Sequence, residues 1–432
     1  MRLILFEDPQ ARAFYPLTEM RPVWELRTGL GTLRQRIEWR LGLKAEGGLC
    51  RGPLQKVAAR LGLPQPELEE GEDILMVNGR LLELNAEAVL GLEPGTGMLL
   101  DDVLLAARLD AAELADLDGG GPELDVVEAP AGMRLAEHLW ELIHELPAAA
   151  AADFPYLEAR LQAEGRTAPP ESVDLSVRLI GSERIHIEAG ATIAPYCVLD
   201  ASKGPIVIES GVSLAPFCVV EGPAFIGENS RLKPGTRLLG GTHLGPVSRV
   251  AGEVAESILQ GYANKQHDGF LGHAYLGEWT NLGADTNNSD LKNNYGQVSV
   301  QMLGRQVETG ERYVGLLMGD HSKCGINTMF NTGTVVGVFA NIWGGGFPPK
   351  EVPPFSWGGP QDGITPYELE KAIATAHIVK GRRERNLGRC EEDLIRHLHR
   401  QYQDEFAPAF GEPVAPRSAG RKTKTVKAEP KK

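Results

Sequence analysis

The sequence is poor in cysteine, in aromatic residues and in long hydrophobic runs. Its five cysteines are spread over 432 residues without a CxxC pair, so we interpret them as free thiols and predict no metal site. Aromatic residues make up 6% of the chain, and no hydrophobic run reaches the roughly 20 residues of a transmembrane helix. The net charge of −14 lacks the basic excess typical of nucleic-acid or membrane-surface binding. We therefore expect a globular cytoplasmic protein with neither of those partners.

What is present is a six-residue repeat of aliphatic side chains. It comprises Ile187, Ile193, Leu199, Ile208, Leu214, Val220, Ile226, Leu232, Leu238, Leu244 and Val250. A period of six fits neither a helix nor an ordinary strand, but it fits a triangular coil of three short parallel strands with one aliphatic residue per side pointing inward. The repeat predicts a parallel β-helix over 173–348. Residues 251–275 and 284–316 break the rhythm and are predicted to be surface loops that carry function.

The regions before and after the repeat have different patterns. Residues 1–165 predict an α/β domain, with strands at 2–6 and 73–79 and helices at 29–41, 100–109 and 135–146, followed by a helix and linker over 147–172. A helical segment is predicted over 362–407, beginning with Thr365 as N-cap and Pro366 at the first helical position. The basic stretch 412–432 is predicted to be a disordered tail.

The first 80 residues resemble the start of a sugar-phosphate nucleotidyltransferase domain, which has a Rossmann-like fold. The resemblance rests on Pro16-Leu17-Thr18, Arg21-Pro22 and a strand ending in Asn78-Gly79. That family uses a glycine-rich phosphate loop after its first strand and a magnesium-binding Asp after the Asn-Gly turn. In this chain the loop over 7–12 has no glycine, and Arg80 follows the turn. Mg²⁺ is therefore expected only if the N-terminal domain is active.

The interruption of the repeat carries a second resemblance. Its segments His273-Ala-Tyr-Leu-Gly-Glu278, Asn281-Leu-Gly-Ala-Asp-Thr286 and Asn294-Tyr295-Gly296 are similar to the acetyltransferase half of the bifunctional UDP-N-acetylglucosamine pyrophosphorylase/glucosamine-1-phosphate N-acetyltransferase family. The chain is most similar to a divergent bacterial branch of that family. The resemblance implies a left-handed β-helix, a homotrimer, a role in cell-envelope biosynthesis, and acetyl transfer from acetyl-CoA to an amino sugar such as glucosamine-1-phosphate.

The same resemblance implies roles for individual residues. His273 is the expected general base, with His267 as the alternative, because histidine titrates near neutral pH. The expected substrate-binding residues are Lys233, Lys265, Tyr275, Lys292, Asn294, Tyr295 and His321. Ala340 and Gly344 are expected to lie against the acetyl-CoA arm. Two other functions stay open: a nucleotidyltransferase that makes a UDP-N-acetylglucosamine-type nucleotide sugar, and a non-catalytic β-helix scaffold.

Overall fold

The computed structural model describes residues 1–115, 124–166 and 173–406. The predicted tail over 412–432 lies outside these residues. The predicted fold class is confirmed: an α/β domain is followed by a left-handed parallel β-helix of hexapeptide repeats and by C-terminal helices. No helix among the described residues is both long enough and apolar enough to span a bilayer.

The N-terminal domain is built on a mixed six-stranded sheet in the order β4-β1-β5-β8-β7-β9. Strand β1 is parallel to both β4 and β5, whereas β8 is antiparallel to β5 and β7. The strand bounds in this domain are β1 Arg2–Phe6, β2 Arg27–Thr28, β3 Gly31–Thr32, β4 Ala45–Leu49, β5 Asp73–Asn78, β6 Leu81–Glu83, β7 Thr96–Leu100, β8 Val103–Asp110, β9 Asp125–Glu128 and β10 Arg134–Leu135. The apolar runs of β1 and β5 are buried, as expected for central strands of a covered sheet.

The helices of this domain are α1 Leu33–Leu41, α2 Gln55–Arg60, α3 Ala86–Leu90, α4 Ala111–Ala115, α5 Leu139–His144 and α6 Leu146–Ala163. Short 3-10 helices lie at Pro9–Phe14, Val23–Glu25 and Gly52–Leu54. The predicted helix over 100–109 is wrong, because these residues form β8 and pair with β5. A run of Leu, Ala and Val fits a strand buried in a sheet as well as it fits a helix.

The β-helix has three faces, which we name A, B and C in the order in which the chain visits them. Face A contains β11 Arg178–Ile180, β14 Val198–Asp200, β17 Val219–Glu221, β20 Arg237–Leu238, β23 Glu253–Ala255, β26 Phe270–Gly272, β28 Asn287–Asn288 and β33 Met329–Phe330. Face B contains β12 Ile185–Ile187, β15 Ile206–Ile208, β18 Ala224–Ile226, β21 Thr242–Leu244, β24 Ile258–Leu259, β27 Tyr275–Leu276, β31 Leu317–Met318, β34 Val335–Val336 and β36 Glu351–Val352. Face C contains β13 Thr192–Ile193, β16 Ser213–Leu214, β19 Arg231–Leu232, β22 Arg249–Val250, β25 Asn264–Lys265, β32 Lys323–Cys324, β35 Asn341–Ile342 and β37 Ser356–Gly359.

The predicted interruption at 251–275 is wrong, because these residues form regular coil. Strands β23 to β27 continue all three faces without a gap. The aliphatic period is lost there because Lys265 takes the inward place next to Val250, and because some corners are shorter. The true excursion leaves the coil after Ser289, forms the hairpin of β29 Ser299–Met302 and β30 Arg305–Glu308, and returns at β31.

The C-terminal segment packs against the solenoid. It consists of β38 Gly363–Pro366, α7 Leu369–Gly381 and α8 Arg389–Phe406. The predicted helix start at Thr365 is wrong, because Thr365 pairs with Trp357 in an antiparallel ladder and the helix begins at Leu369. The N-terminal domain and the coil share one hydrophobic core, in which Leu142 and Ile143 pack with residues such as Tyr275 and Leu317.

Candidate active site

His273 lies at the corner between faces A and B, between β26 and β27. Its backbone adopts the left-handed conformation, with φ of +44°, which the tight corner requires. Its peptide groups are held by the neighbouring coils: its N–H donates to the carbonyl of Ala255, and its carbonyl accepts from Gly315 N–H. The imidazole is therefore carried by rigid backbone.

Two carboxylates hold the imidazole of His273 from both sides. Nδ1 lies 2.8 Å from Asp290 Oδ2, one coil further along the chain. Nε2 contacts the carboxylate of Glu256, one coil earlier. The Glu256 side chain is about half-exposed, whereas those of His273 and Asp290 are largely buried. One ring nitrogen is thus fixed in the interior, and the other faces the solvent side.

This arrangement favours the imidazolium form. Burial lowers the pKa of His273, but the hydrogen bonds and charges of Asp290 and Glu256 outweigh it and raise the pKa to about 9. The hydrogen bond from His273 lowers the pKa of Glu256 in turn. As it stands, the ring is a proton donor at neutral pH.

The N-terminal domain completes the walls of this corner. The ring of Tyr313, at the end of the excursion, stacks on His273 with centroids 4.9 Å apart. His144, in the last turn of α5, lies 5.6 Å from the same ring, and its Nε2 is 2.9 Å from the Tyr313 carbonyl oxygen. The corner is therefore assembled from both domains.

A polar cleft of about 360 Å³ begins beside Asp290. It is lined by Ser289, Leu291, Lys292, Asn293, Asn294, Asn331 and Thr332. The predicted substrate residues Lys292 and Asn294 thus lie in the cleft next to His273, with Lys292 Nζ donating to the Gln297 carbonyl. The nearby Tyr295 is 69% exposed at the tip of the turn. Lys292 and Asn294 therefore share one cleft, and Asp290, which holds His273, precedes Lys292 by two residues in the chain.

Tyr275 and Lys265 are placed differently from the prediction. Tyr275 is fully buried at the domain interface, where its hydroxyl accepts from Arg27 N–H and lies 2.9 Å from Gln260 Oε1. Lys265 points into the coil, and its Nζ donates to the carbonyls of His267 and Asp268. The structure therefore gives Tyr275 contacts across the domain interface and Lys265 contacts inside the coil.

The other predicted residues lie at other corners. Lys233 and the exposed His267 are at the corner between faces C and A. His321 is at the corner between faces B and C, where it is buried and stacks on Phe339 with centroids 4.6 Å apart. Within this chain His267 and His273 lie at different corners, and the side chain of His321 is buried.

Ala340 and Gly344, the two residues predicted to contact acetyl-CoA, lie in different surroundings. Ala340 is fully buried and belongs to the aliphatic core of the coil, so its methyl group is not available to a ligand. Gly344 follows β35 at a corner and has φ of +96°. A Cβ at this position would meet only Gln361 Oε1, at 3.8 Å. Its backbone is therefore open.

The residues at the nucleotidyltransferase-like end of the first domain are bound to one another. Arg80 is 2% exposed, and its guanidinium donates to both carboxylate oxygens of Asp8 and to the Ala136 carbonyl. Asn78 also donates to Asp8, at 2.8 Å. Mg²⁺ requires free oxygen ligands, and a buried guanidinium in their place repels it. These residues do not fit a magnesium ion.

The Pro16–Pro22 segment faces the β-helix instead of an open cleft. Arg21 is buried, and its Nη2 donates to Asp320 Oδ1 at 3.0 Å and lies 3.5 Å from Glu278. Burial raises the pKa of Asp320 to about 6 even though Arg21 opposes that shift. This ion pair joins the two domains.

Three residues of the corner were missed in the sequence: Glu256, Asp290 and His144. Glu256, His273 and Asp290 are spaced by 17 residues, which is one coil in this part of the solenoid. That spacing places them in one column, and it could have identified both carboxylates. No spacing in the sequence identifies His144, because only the packing of α5 against the coil brings it to this corner.

Comparison with known proteins agrees with this architecture. Residues 3–161 match the family model described as sugar nucleotidyl transferase. The chain is 29% identical over 126 residues to the bifunctional sugar-1-phosphate nucleotidylyltransferase/acetyltransferase of Sulfurisphaera tokodaii, covering 29% of this chain and 30% of that protein. It is 26% identical over 269 residues to the bifunctional protein GlmU of an Acidovorax species, covering 59% of this chain and 52% of that protein.

Over parts of its length the chain is thus similar to proteins named as bifunctional, among them a nucleotidylyltransferase/acetyltransferase. Its alignments span between about a fifth and a half of the length of the curated relatives that it matches. Among solved structures, the UDP-N-acetylglucosamine acyltransferase of Arabidopsis aligns with 55% of this chain and 94% of its own, at 15% identity and a TM-score of 0.27.

Proposed function

We propose that this protein transfers an acetyl group from acetyl-CoA to the amine of an amino-sugar phosphate at the corner that carries His273. The observation that supports it most directly is the column Glu256–His273–Asp290, in which a buried carboxylate orients an imidazole beside a polar cleft. The relatives named bifunctional nucleotidyltransferase/acetyltransferase supply the substrate class.

In the proposed reaction, Asp290 accepts a hydrogen bond from Nδ1–H of His273. This bond fixes the tautomer that presents Nε2 to the substrate. An amino sugar arrives as an ammonium ion, and the half-exposed carboxylate of Glu256 pairs with it. Once Glu256 has moved to the ammonium, the pKa of His273 falls, and a larger fraction of the rings has an unprotonated Nε2 that can act as a base.

The chemical step then balances in protons and electrons. The ammonium first releases one proton to solvent, and Nε2 of the imidazolium does the same. Nε2 then takes a second proton from the amine as the nitrogen lone pair attacks the thioester carbonyl carbon. The tetrahedral intermediate collapses with cleavage of the C–S bond. The proton passes from His273 to the departing thiolate of CoA, so that an amide and a thiol are formed.

Other groups of the corner serve binding in this proposal. Lys292 and the amide of Asn294 lie in the adjacent cleft, where an ammonium and an amide suit the phosphate and hydroxyls of a sugar phosphate. Gly344 remains the candidate for the CoA arm, and Lys233 would approach a site only from a neighbouring subunit. We propose a homotrimer for that reason, working in the cytoplasm on cell-envelope precursors.

The experiment is an assay of thiol release from acetyl-CoA with glucosamine-1-phosphate, its N-acetylated form and a panel of UDP-amino sugars. Turnover that requires a free amine and falls in Asp290→Asn supports the proposal. In that variant Nδ1 loses its carboxylate, so activity should decline about 10²-fold or more while acceptor KM changes little. Thiol release that does not depend on the acceptor amine would overturn it.

Nucleotidyl transfer is the second candidate, favoured by the family match over residues 3–161. The pairing of Arg80 with Asp8 opposes it, since it leaves no carboxylate for the metal. Calorimetric titration with nucleoside triphosphates and Mg²⁺ distinguishes the two. Binding heat that depends on Mg²⁺ and vanishes in Asp8→Asn would favour this second function.

A further inference from the structure

A second polar cavity lies on face C under the end of α7, away from the corner of His273. It has a volume of about 260 Å³ and is lined by Tyr262, Asn264, Gln266, Trp279, Asn281, Lys323, Val379, Arg382 and Arg383. One wall is the outward ladder of face C, and the other is the last turn of α7 and the two arginines that follow it. The site is therefore formed jointly by the solenoid and the C-terminal helix.

The cavity is cationic. Lys323, Arg382 and Arg383 line it, and among its described lining residues none is acidic. Arg231 and Arg249 are paired in register on the adjoining strands of the same face. Like charges placed side by side on a sheet are destabilising, so this cluster has a cost in the free protein.

The charges in this cluster are not neutralised by neighbouring carboxylates. Burial, followed by Arg249, Arg382 and Arg231, lowers the pKa of Arg383. Burial alone lowers the pKa of Lys323 to about 8. Arg383 Nη2 donates to Asn264 Oδ1 at 3.2 Å, whereas its buried Nε has no partner among the described residues. This N–H is therefore left for an acceptor from a ligand or from water.

The rest of the lining is suited to a polar organic group. The amides of Asn264, Gln266 and Asn281 offer both donors and acceptors, and Tyr262 and Trp279 form a stacked aromatic pair with centroids 4.1 Å apart. A cavity of about 260 Å³ is at the small end of ligand sites. This size limits a ligand to a small organic phosphate.

We propose that this cavity binds a small organic phosphate, with the phosphoryl oxygens on Lys323, Arg382 and Arg383 and the sugar or base on the amides. The guanidinium fork and the lysine match phosphate better than a carboxylate, because they offer several donors converging on one dianion. The ligand class is a sugar phosphate or a nucleoside monophosphate.

The test is isothermal titration of the full-length protein with inorganic phosphate, glucosamine-1-phosphate and uridine monophosphate at low ionic strength. All three should bind if the phosphoryl group is the main determinant, and the tightest probe distinguishes a sugar from a nucleoside. Affinity should fall steeply between 50 and 300 mM salt, since ion pairing dominates.

The test variant is Arg382→Gln. The Arg382 side chain is exposed and forms no ion pair among the described residues, so its loss should leave the fold intact. The matched control is Arg400→Gln on the exposed side of α8, which makes the same change in net charge. We expect Arg382→Gln to weaken binding about tenfold and Lys323→Gln to weaken it further, with Arg400→Gln unchanged. No binding of any probe, or equal weakening by Arg400→Gln, would overturn the proposal.

Discussion

The half-exposed carboxylate of Glu256 should raise the pKa of His273. The substitution Glu256→Gln measures how much of the rise comes from Glu256. The imidazole has a pKa of about 9 instead of 6.5. Such a difference corresponds to about 3 kcal/mol of preference for the charged ring. Asp290 contributes to this preference from the interior. Glu256 contributes the rest from a half-exposed position, where solvent screens its charge. We therefore expect Glu256→Gln to lower the pKa by about one unit and to cost about 1 kcal/mol of stability.

The sign of the pH dependence follows from the raised pKa. The charged ring stabilises the fold fully below pH 6.5, and the contribution is lost as the pH rises through about 9. Glu256→Gln should therefore be less stable than the wild type at pH 6 and equal to it above pH 10. The assay is an NMR titration of the His273 ring together with thermal unfolding at both pH values.

The control is Glu253→Gln, which removes the same charge three residues before Glu256, on β23. Glu253 pairs with the surface residue Arg237 and not with His273. Its effect on the His273 pKa should be small. An unchanged His273 pKa in Glu256→Gln, or a stability difference that is the same at pH 6 and pH 10, would refute the reasoning.

Two further substitutions test the structural assignments. Arg80→Ala leaves the Asp8 carboxylate without its buried partner and should lower the free energy of unfolding by about 3 kcal/mol. The control for thermal unfolding is Arg134→Ala, which removes a more exposed arginine. Equal losses in the two variants would contradict a structural role for the Arg80–Asp8 pair. Tyr275→Phe removes a buried hydroxyl from two hydrogen bonds and should cost about 1–3 kcal/mol of stability while leaving acceptor KM unchanged. An increased KM without a loss of stability would restore the substrate role predicted from the sequence.

Much of the fold could be predicted because the hexapeptide period is a direct consequence of the coil. Each inward side chain from Leu199 to Val250 repeats at the spacing that one face requires. The period was lost where Lys265 turned inward, since a lysine there is held by carbonyl oxygens that only the folded corner supplies. The strand at Val103–Asp110 was missed because its residues suit a buried strand and a helix equally well.

The candidate site could be predicted only in part. His273, Lys292 and Asn294 were found through a resemblance in sequence, and Lys292 and Asn294 line one cleft in the structure. Tyr275 lies beside them in sequence but points to the opposite side of the corner, into the domain interface, which no local pattern reveals. The carboxylates that set the charge of the ring were separated from it by a whole coil, and His144 comes from the other domain.

The central claim is tested most directly by the rate of thiol release from acetyl-CoA in the wild type, His273→Gln and His267→Gln under identical conditions. With an amino-sugar phosphate acceptor, the account predicts that His273→Gln loses about 10²–10⁴-fold in kcat and that His267→Gln retains the wild-type rate. Both variants should keep the wild-type thermal stability to within a few degrees at pH 10, where the charge of His273 no longer contributes. A wild-type rate in His273→Gln would contradict the account.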